Sequence, residues 1–259
     1  MAFLQREGYR IYYRWDGREN APVLMLSHSL GANLGMWDPQ LDDLGRSFHL
    51  LRYDHPGHGR SDPRPGPGTM ADLGSDALAL LDELALDRVS FCGLSLGGMV
   101  GLWLCAHAPA RFSRLISSSA GARIEDTTLL QGRIATIRTR GLEPIADSVL
   151  TGWFTPGFRT RNPDRVAWAR QMLLSTRAEA YAGTAETVCE ADLRPELTRI
   201  SLPALVIYGS DDKATPPAWN QAVQEGISGA VSRRLPAAHL VNIEAADEYS
   251  ACIQGFLKP

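Results

Sequence analysis

Ser95 stands in a pattern that suits a serine nucleophile. The segment Gly93 to Gly98 reads Gly-Leu-Ser-Leu-Gly-Gly; it follows an apolar stretch, Arg88 to Cys92, and precedes a helix-forming stretch, Leu96 to His107. A G-x-S-x-G sequence between a strand and a helix is a nucleophile elbow, in which the serine hydroxyl projects from a sharp turn. The flanking glycines relieve the crowding in such a turn. The structural alternative is an ordinary strand-to-helix turn built from small residues.

His239 and nearby aspartates are candidates to activate that serine, since a serine nucleophile needs a base and the base needs an orienting acid. In enzymes with this elbow the order along the chain is serine, acid, histidine. His239 lies in a loop after the predicted strand Val231 to Leu235, where an imidazole suits general-base work near neutral pH. Asp211 and Asp212 both follow the preceding predicted strand, and the residues alone leave both open. Asp126 is a more remote candidate.

Leu30 and Leu96 are the predicted sources of an oxyanion hole. Such a hole combines the backbone N–H of the residue after the nucleophile with an N–H from the loop after an early strand. Leu96 follows Ser95, and Leu30 lies in the loop after the predicted strand Val23 to Ser27. His28 in the same loop is an alternative base, although it precedes the serine in the chain.

Two other groups of reactive side chains have structural interpretations. Residues 54–62 hold two histidines and two aspartates, but Pro56 and Gly57 interrupt a metal-ligand spacing, so we predict a structural turn and no metal site. Cys105 and His107 lie two positions apart on a predicted helix and therefore point to different faces. The cysteines show no C-x-x-C pair, which predicts buried thiols rather than a disulfide framework or a zinc site. They are Cys92, Cys105, Cys189 and Cys252.

The composition describes an ordinary globular protein. Hydrophobic residues make up 44% and charged residues 21% of the 259 residues, which excludes disordered and fibrous classes. The net charge is −3, from 26 basic and 29 acidic residues without a like-charged block, which argues against nucleic acid as a partner. The longest apolar runs fall far below the ~20 residues of a membrane span. The first residues show no charged and then apolar signal pattern, so we expect a cytoplasmic location.

Strand and helix patterns alternate along most of the chain, which favours a mostly parallel sheet covered by helices. Tyr9 to Trp15 and Val23 to Ser27 have strand character, with a turn predicted at Asp16-Gly17 between them. A helix is predicted from Met70 to Leu84, where apolar residues recur at helical spacing. Further strands are predicted at 48–53, 88–92, 112–117, 202–208 and 231–235, and further helices at 96–107, 218–225 and 246–257.

The segment from Ala122 to Glu190 differs from the rest, because it has helical spacing and no convincing strand pattern. The chain length suits one large domain with an elaboration, or two small domains. We therefore predict that residues 1–121 and 191–259 form one discontinuous sheet domain, and that residues 122–190 form an inserted helical cap.

With these residues in place, the chain resembles the α/β-hydrolase superfamily over essentially its whole length. Within that superfamily it is most similar to the 3-oxoadipate enol-lactonases of aromatic degradation. The elbow is a signal of the whole superfamily, whereas Trp153-Phe154-Thr155-Pro156 is specific to the lactonase-like branch. The matching segments are 29–31, 36–40, 51–54, 91–101, 153–156, 212 with 215–217, and 239–240 with 242–244.

The resemblance implies an α/β-hydrolase fold, with a mostly parallel eight-stranded sheet and a cap. Its Gly-x-x-Asp-x-x-x-Pro spacing selects Asp212 as the acid. The implied chemistry is hydrolysis of a small-molecule ester or lactone through an acyl-enzyme on Ser95, with no cofactor required. Trp153 and Ser29 are the implied substrate-binding residues. The alternatives are a general carboxylesterase or perhydrolase without enol-lactone specificity, or a small-molecule receptor that retains the triad. The oligomeric state stays open.

The chain also departs from these relatives at three places. His28 stands where they commonly have asparagine, Pro56-Gly57 replaces Arg-Gly, and Gly152 replaces an arginine before the cap tryptophan. An acidic lactone is expected to need a guanidinium for its carboxylate. The glycine therefore counts against enol-lactone specificity, while the predicted hydrolytic residues remain unaffected.

Overall fold

An eight-stranded sheet forms the centre of the computed structural model, which describes residues 2–258. Its spatial order is β1-β2-β4-β3-β5-β6-β7-β8. Strand β2 pairs antiparallel with β1 and β4, and all other neighbours are parallel. The predicted mostly parallel, eight-stranded sheet is therefore confirmed. The strands are β1 (Ala2–Arg6), β2 (Tyr9–Gly17), β3 (Val23–Ser27), β4 (His49–Tyr53), β5 (Val89–Leu94), β6 (Phe112–Ser118), β7 (Ala204–Gly209) and β8 (Val231–Leu235).

Helices cover the sheet and fill the connections between strands. Helix α2 begins with a capping box, in which the Thr69 hydroxyl accepts from Asp72 N and the Asp72 carboxylate accepts from Thr69 N. The helices are α1 (Leu41–Leu44), α2 (Met70–Glu83), α3 (Leu96–His107), α4 (Thr128–Arg140), α5 (Ala146–Trp153), α6 (Pro156–Arg161), α7 (Pro163–Leu174), α8 (Ala178–Glu190), α9 (Arg194–Leu197), α10 (Pro217–Gly226), α11 (Val241–Glu244) and α12 (Ala246–Leu257), with 3-10 turns at Leu34–Gln40, Pro109–Arg111 and Glu143–Ile145.

Both faces of the sheet are buried, as parallel sheets require. In β3, Leu24 and Leu26 belong to the hydrophobic cluster that contains Tyr249 of α12. Met25 between them belongs to the opposite cluster, which contains Val100 of α3. Because consecutive strand residues point to opposite faces, the apolar run of β3 serves both clusters. Within residues 2–258 no helix is both long and apolar enough to cross a bilayer.

Two local predictions in the first part of the sheet were incomplete or wrong. Strand β1 was not predicted, because its residues are mostly half-buried and show no clear alternation. The turn predicted at Asp16-Gly17 lies later, since both residues continue β2. Arg52 of the neighbouring strand explains the extension, because its buried guanidinium bonds Asp16 Oδ2 at 2.7 Å across the pair.

Six α-helices, α4 to α9, lie between β6 and β7 in place of a short connection, and the first five of them fall within residues 122–190. An isolated antiparallel bridge between Arg123 and Asp192 joins the two ends of this segment. Most of its buried apolar residues, including Trp153 and Phe154, pack into the same cluster as one face of the sheet, and Val188 belongs to the opposite cluster. We use "cap" for residues 122–190, and these boundaries remain our proposal.

Candidate active site

Ser95 occupies a strained turn between β5 and α3. Its backbone angles are φ 57° and ψ −113°, a region that a side-chain-bearing residue adopts only when its surroundings impose it. A Cβ atom at Gly93 would lie 2.0 Å from Gly97 O, and one at Gly97 would lie 2.1 Å from Ser27 O. Glycine at both positions therefore permits the close approach of β5, α3 and β3 that forms the elbow.

Asp212 and His239 are joined directly. His239 Nδ1 lies 2.9 Å from Asp212 Oδ2, and both residues are buried. The other carboxylate oxygen accepts the backbone N–H groups of Ala214 at 2.8 Å and Thr215 at 2.9 Å. By contrast, Asp211 is exposed and accepts from the Ser210 hydroxyl. The structure thus pairs Asp212, rather than its neighbour, with the imidazole.

The remaining aspartate candidate lies elsewhere. Asp126 is exposed and accepts the backbone N–H of Thr128 at 2.9 Å, at the start of α4. That contact satisfies the first turn of a cap helix, and it does not bring the carboxylate to the imidazole.

The electrostatics around Asp212 keep it ionised. Burial raises the pKa of this carboxyl, but the charge and hydrogen bond from His239 and the hydrogen bonds from Thr215 outweigh burial and hold the pKa below its usual value. An ionised acceptor means that His239 Nδ1 carries the proton and donates it, which leaves Nε2 as the basic nitrogen. The hydroxyl of Thr215 lies 2.7 Å from Asp212 Oδ2. Sequence reasoning gave this threonine no role in the site, although residues 215–217 are among the segments that match the relatives.

The carboxyl ends of four neighbouring strands bring these residues to one edge. Ser95 N donates to Ser118 O at 2.8 Å, and Ser119 N donates to Ile207 O at 2.8 Å. Ser210 N then donates to Leu235 O at 2.8 Å, so the loops after β5 to β8 follow one another across the sheet edge. Among residues 2–258 the hydrogen bonds of the His239 ring go to Asp212 and Thr215 rather than to Ser95. Such contacts are often long before substrate binds.

The loop after β3 lies against the start of α3. Gly97 N donates to His28 O at 3.1 Å, which joins the two segments. Leu96 is the first residue of α3, where backbone N–H groups have no acceptor within the helix. Leu30 is half-buried and contacts both hydrophobic clusters. This arrangement supports Leu30 and Leu96 as the proposed oxyanion donors.

His28 is placed as a structural residue rather than a base. Its ring is buried; Nδ1 donates to Ser29 O at 2.8 Å, and Nε2 accepts His55 N at 2.9 Å. Burial, followed by the nearby imidazoles of His55 and His58, lowers the pKa of His28 well below its usual value. With both nitrogens occupied and the ring neutral, His28 has no nitrogen free for the serine.

Residues 54–62 form a buried turn next to this loop. Asp54 accepts the N–H groups of Leu34 at 2.7 Å and Arg60 at 2.9 Å. Burial raises the pKa of this carboxyl to about 6, against the lowering effect of those bonds. Cys105 is buried and burial raises its thiol pKa, whereas His107 is exposed, so these two do not form a reactive pair.

The two predicted substrate-binding residues are both buried. Ser29 N donates to the Met36 sulfur at 3.3 Å. Trp153 is only 4% exposed, and its backbone carbonyl accepts from Leu240 N at 3.0 Å. Both residues therefore lie beside site loops, and their contact with substrate remains a proposal.

Comparison with known proteins identifies the family. The family model for the alpha/beta hydrolase fold matches residues 22–246. The chain belongs to the α/β-hydrolase family. Among relatives of this α/β hydrolase, 3-oxoadipate enol-lactonase 2 of Acinetobacter baylyi is 37% identical over 98% of this chain and 96% of that protein.

Solved structures agree with that assignment. The enol-lactonase from Burkholderia xenovorans LB400 superposes on this α/β hydrolase with a TM-score of 0.96, at 40% identity over 99% of each chain. A thermophilic esterase from Thermogutta terrifontis superposes with a TM-score of 0.89, at 26% identity over 96% of this chain and 93% of the other.

Proposed function

We propose that this α/β hydrolase cleaves a carboxylic ester or lactone through an acyl-enzyme on Ser95, most like 3-oxoadipate enol-lactone hydrolysis. The observation that carries the proposal is the buried Asp212–His239 pair, 2.9 Å apart, on the sheet edge that also presents the serine elbow. The enol-lactonase relatives support the lactone assignment over nearly the full chain length.

The first half of the reaction forms the acyl-enzyme. Ser95 Oγ attacks the substrate carbonyl carbon while His239 Nε2 takes the hydroxyl proton. The N–H groups of Leu30 and Leu96 stabilise the negative oxygen of the tetrahedral intermediate. Asp212 holds the imidazole tautomer and stabilises the imidazolium. When the intermediate collapses, the bond to the ester or lactone oxygen breaks and that oxygen takes the proton from His239.

The second half releases the acid. His239 Nε2 takes a proton from a water molecule, whose oxygen attacks the acyl carbon. Collapse of the second intermediate breaks the bond to Ser95 Oγ, which recovers its proton from His239. In a lactone, the alcohol or enol formed in the first half stays attached to the acyl group, so one open-chain product leaves.

Arg133 of α4 is a candidate partner for an acidic substrate, and sequence reasoning missed it. Its Nε is buried without a hydrogen-bond partner among the described residues, and Nη2 donates to the exposed Ser148 hydroxyl at 3.0 Å. By contrast, Arg138 on the same helix pairs with Glu186 at 2.7 Å. A buried donor without a partner is costly, so a bound carboxylate would stabilise Arg133.

The position of Arg133 relative to the oxyanion loop supports this role. The ring of Tyr181 packs against Gly31, whose Cβ position lies 2.7 Å from Tyr181 Cε2. Burial raises the pKa of Tyr181, and the Arg133 guanidinium acts in the opposite direction, so the two side chains are neighbours. Arg133 is thus one side chain away from the loop of Leu30. It offers the guanidinium that Gly152 does not supply.

Ser95→Ala provides the test of the reaction. The wild type should show burst-phase acylation with p-nitrophenyl esters of graded length and should open an enol-lactone, and the variant should do neither. Unchanged turnover in the variant would disprove the acyl-enzyme mechanism on Ser95. Slow single-turnover labelling with a thermal shift on ligand binding would favour the receptor alternative.

The choice between lactonase and general esterase needs a second variant. Arg133→Gln should lower kcat/KM for an acidic lactone by about 10- to 100-fold, as loss of a charged hydrogen bond does, and leave neutral esters unchanged. Arg140→Gln, an exposed arginine on the same helix, is the control. Equal losses on acidic and neutral substrates would favour the general carboxylesterase or perhydrolase, which the Thermogutta esterase relative also supports.

A further inference from the structure

Glu244, at the end of α11, joins the loop of the proposed base to the cap. One oxygen, Oε2, accepts Ala238 N at 3.0 Å and Thr155 N at 3.1 Å. The other oxygen accepts the Thr155 hydroxyl. Ala238 directly precedes His239, and Thr155 belongs to the cap. A single carboxylate therefore takes three hydrogen bonds from two segments that are distant in the chain.

The residue after His239 is also bonded to the cap. Leu240 N donates to Trp153 O at 3.0 Å. The backbone N–H groups on both sides of His239 are therefore held, one by Glu244 and one by the cap backbone. Together with the bond from Nδ1 to Asp212, these contacts define both the position of the loop and the direction of the ring.

The cap segment that makes these contacts is itself well anchored. Thr155 is the N-cap of α6, and its hydroxyl accepts Phe158 N at 3.2 Å. Phe154 is 1% exposed, and its ring stacks on Phe158 with the centroids 5.0 Å apart. Movement of Trp153 to Thr155 would therefore break buried packing and a helix cap as well as the bonds to the base loop.

We propose that Glu244 and Thr155 are positioning residues that couple the cap to the base. His239 is then aligned for Ser95 only while residues 153–155 of the cap keep their hydrogen bonds to Glu244 and Leu240. This inference rests on the proposed function, because alignment matters only if His239 is the base. Misplacement of a catalytic group by about 1 Å can cost about 100-fold in rate. The Trp-Phe-Thr segment then contributes to catalysis through backbone contacts, in addition to any contact of Trp153 with substrate.

Glu244→Gln and Thr155→Val test the coupling. The amide keeps the size of Glu244 but turns one acceptor oxygen into a donor that faces other donors, and valine keeps the shape of threonine without its hydroxyl. We expect kcat per active site, counted by burst titration, to fall by about 10- to 100-fold with little change in KM. Thr155→Ser should restore most of the rate, and Glu248→Gln, an exposed glutamate on α12, should leave it unchanged.

Hydrogen–deuterium exchange gives a readout that does not need activity. The Ala238 amide should exchange faster in Glu244→Gln than in the wild type, with the amides of β7 unaffected. A purely structural role would lower the melting temperature and the fraction of active sites, but would leave kcat per active site at the wild-type value, and that result overturns the proposal. Unchanged exchange at Ala238 also overturns it. If the wild type opens no ester or lactone, the proposed function fails, and exchange still reports whether Glu244 holds the loop.

Discussion

The sheet domain and the cap meet where Leu240 N donates to Trp153 O, but they hold their polar residues in different ways. In the sheet domain Arg52 is fully buried and reaches Asp16 at 2.7 Å and Asp38 at 2.6 Å. In the cap, Arg138 is 45% exposed and pairs with Glu186, itself 39% exposed. The ion pair of Arg52 thus lies in the interior, whereas that of Arg138 lies largely in solvent; the sheet domain also has exposed pairs, such as Arg10 with Asp62.

We expect the sheet domain to govern the reaction rate and the cap to govern substrate selectivity. The proposed triad is placed by strand ends and backbone hydrogen bonds, which tolerate little change. The cap contributes Arg133 and Trp153, which we propose contact the substrate. Glu244 is the exception, since it joins both regions. The comparison predicts large effects on rate and stability for sheet-domain variants, and smaller, substrate-dependent effects for cap variants.

Asp212→Asn should produce the largest change. An amide in place of the carboxylate would favour the wrong imidazole tautomer, so kcat should fall by about 10⁴-fold, the size of this effect in a trypsin-type triad. Steady-state kinetics with an activated ester measure it, and Asp211→Asn is the matched control. Equal activities for the two variants would mean that Asp212 does not orient the base.

Arg52→Met and Arg138→Met compare the two regions directly. Removing the buried guanidinium leaves Asp16 with only the exposed Arg14 as an ion-pair partner, at 3.1 Å, so the free energy of unfolding should fall by about 3 kcal/mol, the lower end of the range for a broken buried pair. Removing the solvent-exposed Arg138 should leave the urea midpoint unchanged. If both variants unfold at the same urea concentration, the proposed difference between the regions is incorrect.

Acid should destabilise the sheet domain through its buried histidines. Burial lowers the pKa of His55 to about 3 and that of His58 to about 4, and it lowers that of His28 as well. Below about pH 6.5 the unfolded chain binds protons that the folded protein does not, so stability falls by up to about 1.4 kcal/mol per pH unit for each imidazole. Asp54 acts in the opposite direction because its pKa is raised.

Urea unfolding at several pH values between 4 and 7 measures this slope. His55→Gln should reduce it, whatever its effect on stability at pH 7. His107→Gln should not, because that side chain is exposed. A slope that His55→Gln leaves unaltered would show that other groups cause the acid sensitivity.

Trp153→Phe should give the smallest effect on catalysis, and this effect should appear as a change in selectivity. A smaller pocket wall should change the ratio of kcat/KM between a lactone and a neutral ester by about 10-fold, a typical value for modest changes in an apolar pocket. Trp168→Phe, where the ring lies beneath Arg165 at 5.7 Å, is the control elsewhere in the cap. If neither variant changes the ratio of kcat/KM between the lactone and the neutral ester, Trp153 does not line the substrate pocket.

Much of the sheet was predictable because its elements follow local rules. The bounds of α3 and β3 match the predictions. Both elements have local signals, because the elbow glycines mark the start of the helix and a run of apolar residues marks the strand. Strand β1 and the end of β2 were not predictable from local sequence, because both depend on pairing with strands elsewhere in the chain. Burial of cap residues likewise depends on contacts that no local pattern reveals.

The sequence by itself determined the elbow at Ser95, because the strained backbone and the close approach of strands need glycine at neighbouring positions. It also placed a histidine after the last strand. The residues alone left Asp211 and Asp212 open, and the family resemblance selected Asp212. The tertiary structure shows that Asp212 is the one bonded to His239, 27 residues away. Only the tertiary structure shows the bonds between Glu244 and Thr155, which lie 89 residues apart. Hydrogen bonds over such separations form only when the sheet has brought its loops to one edge.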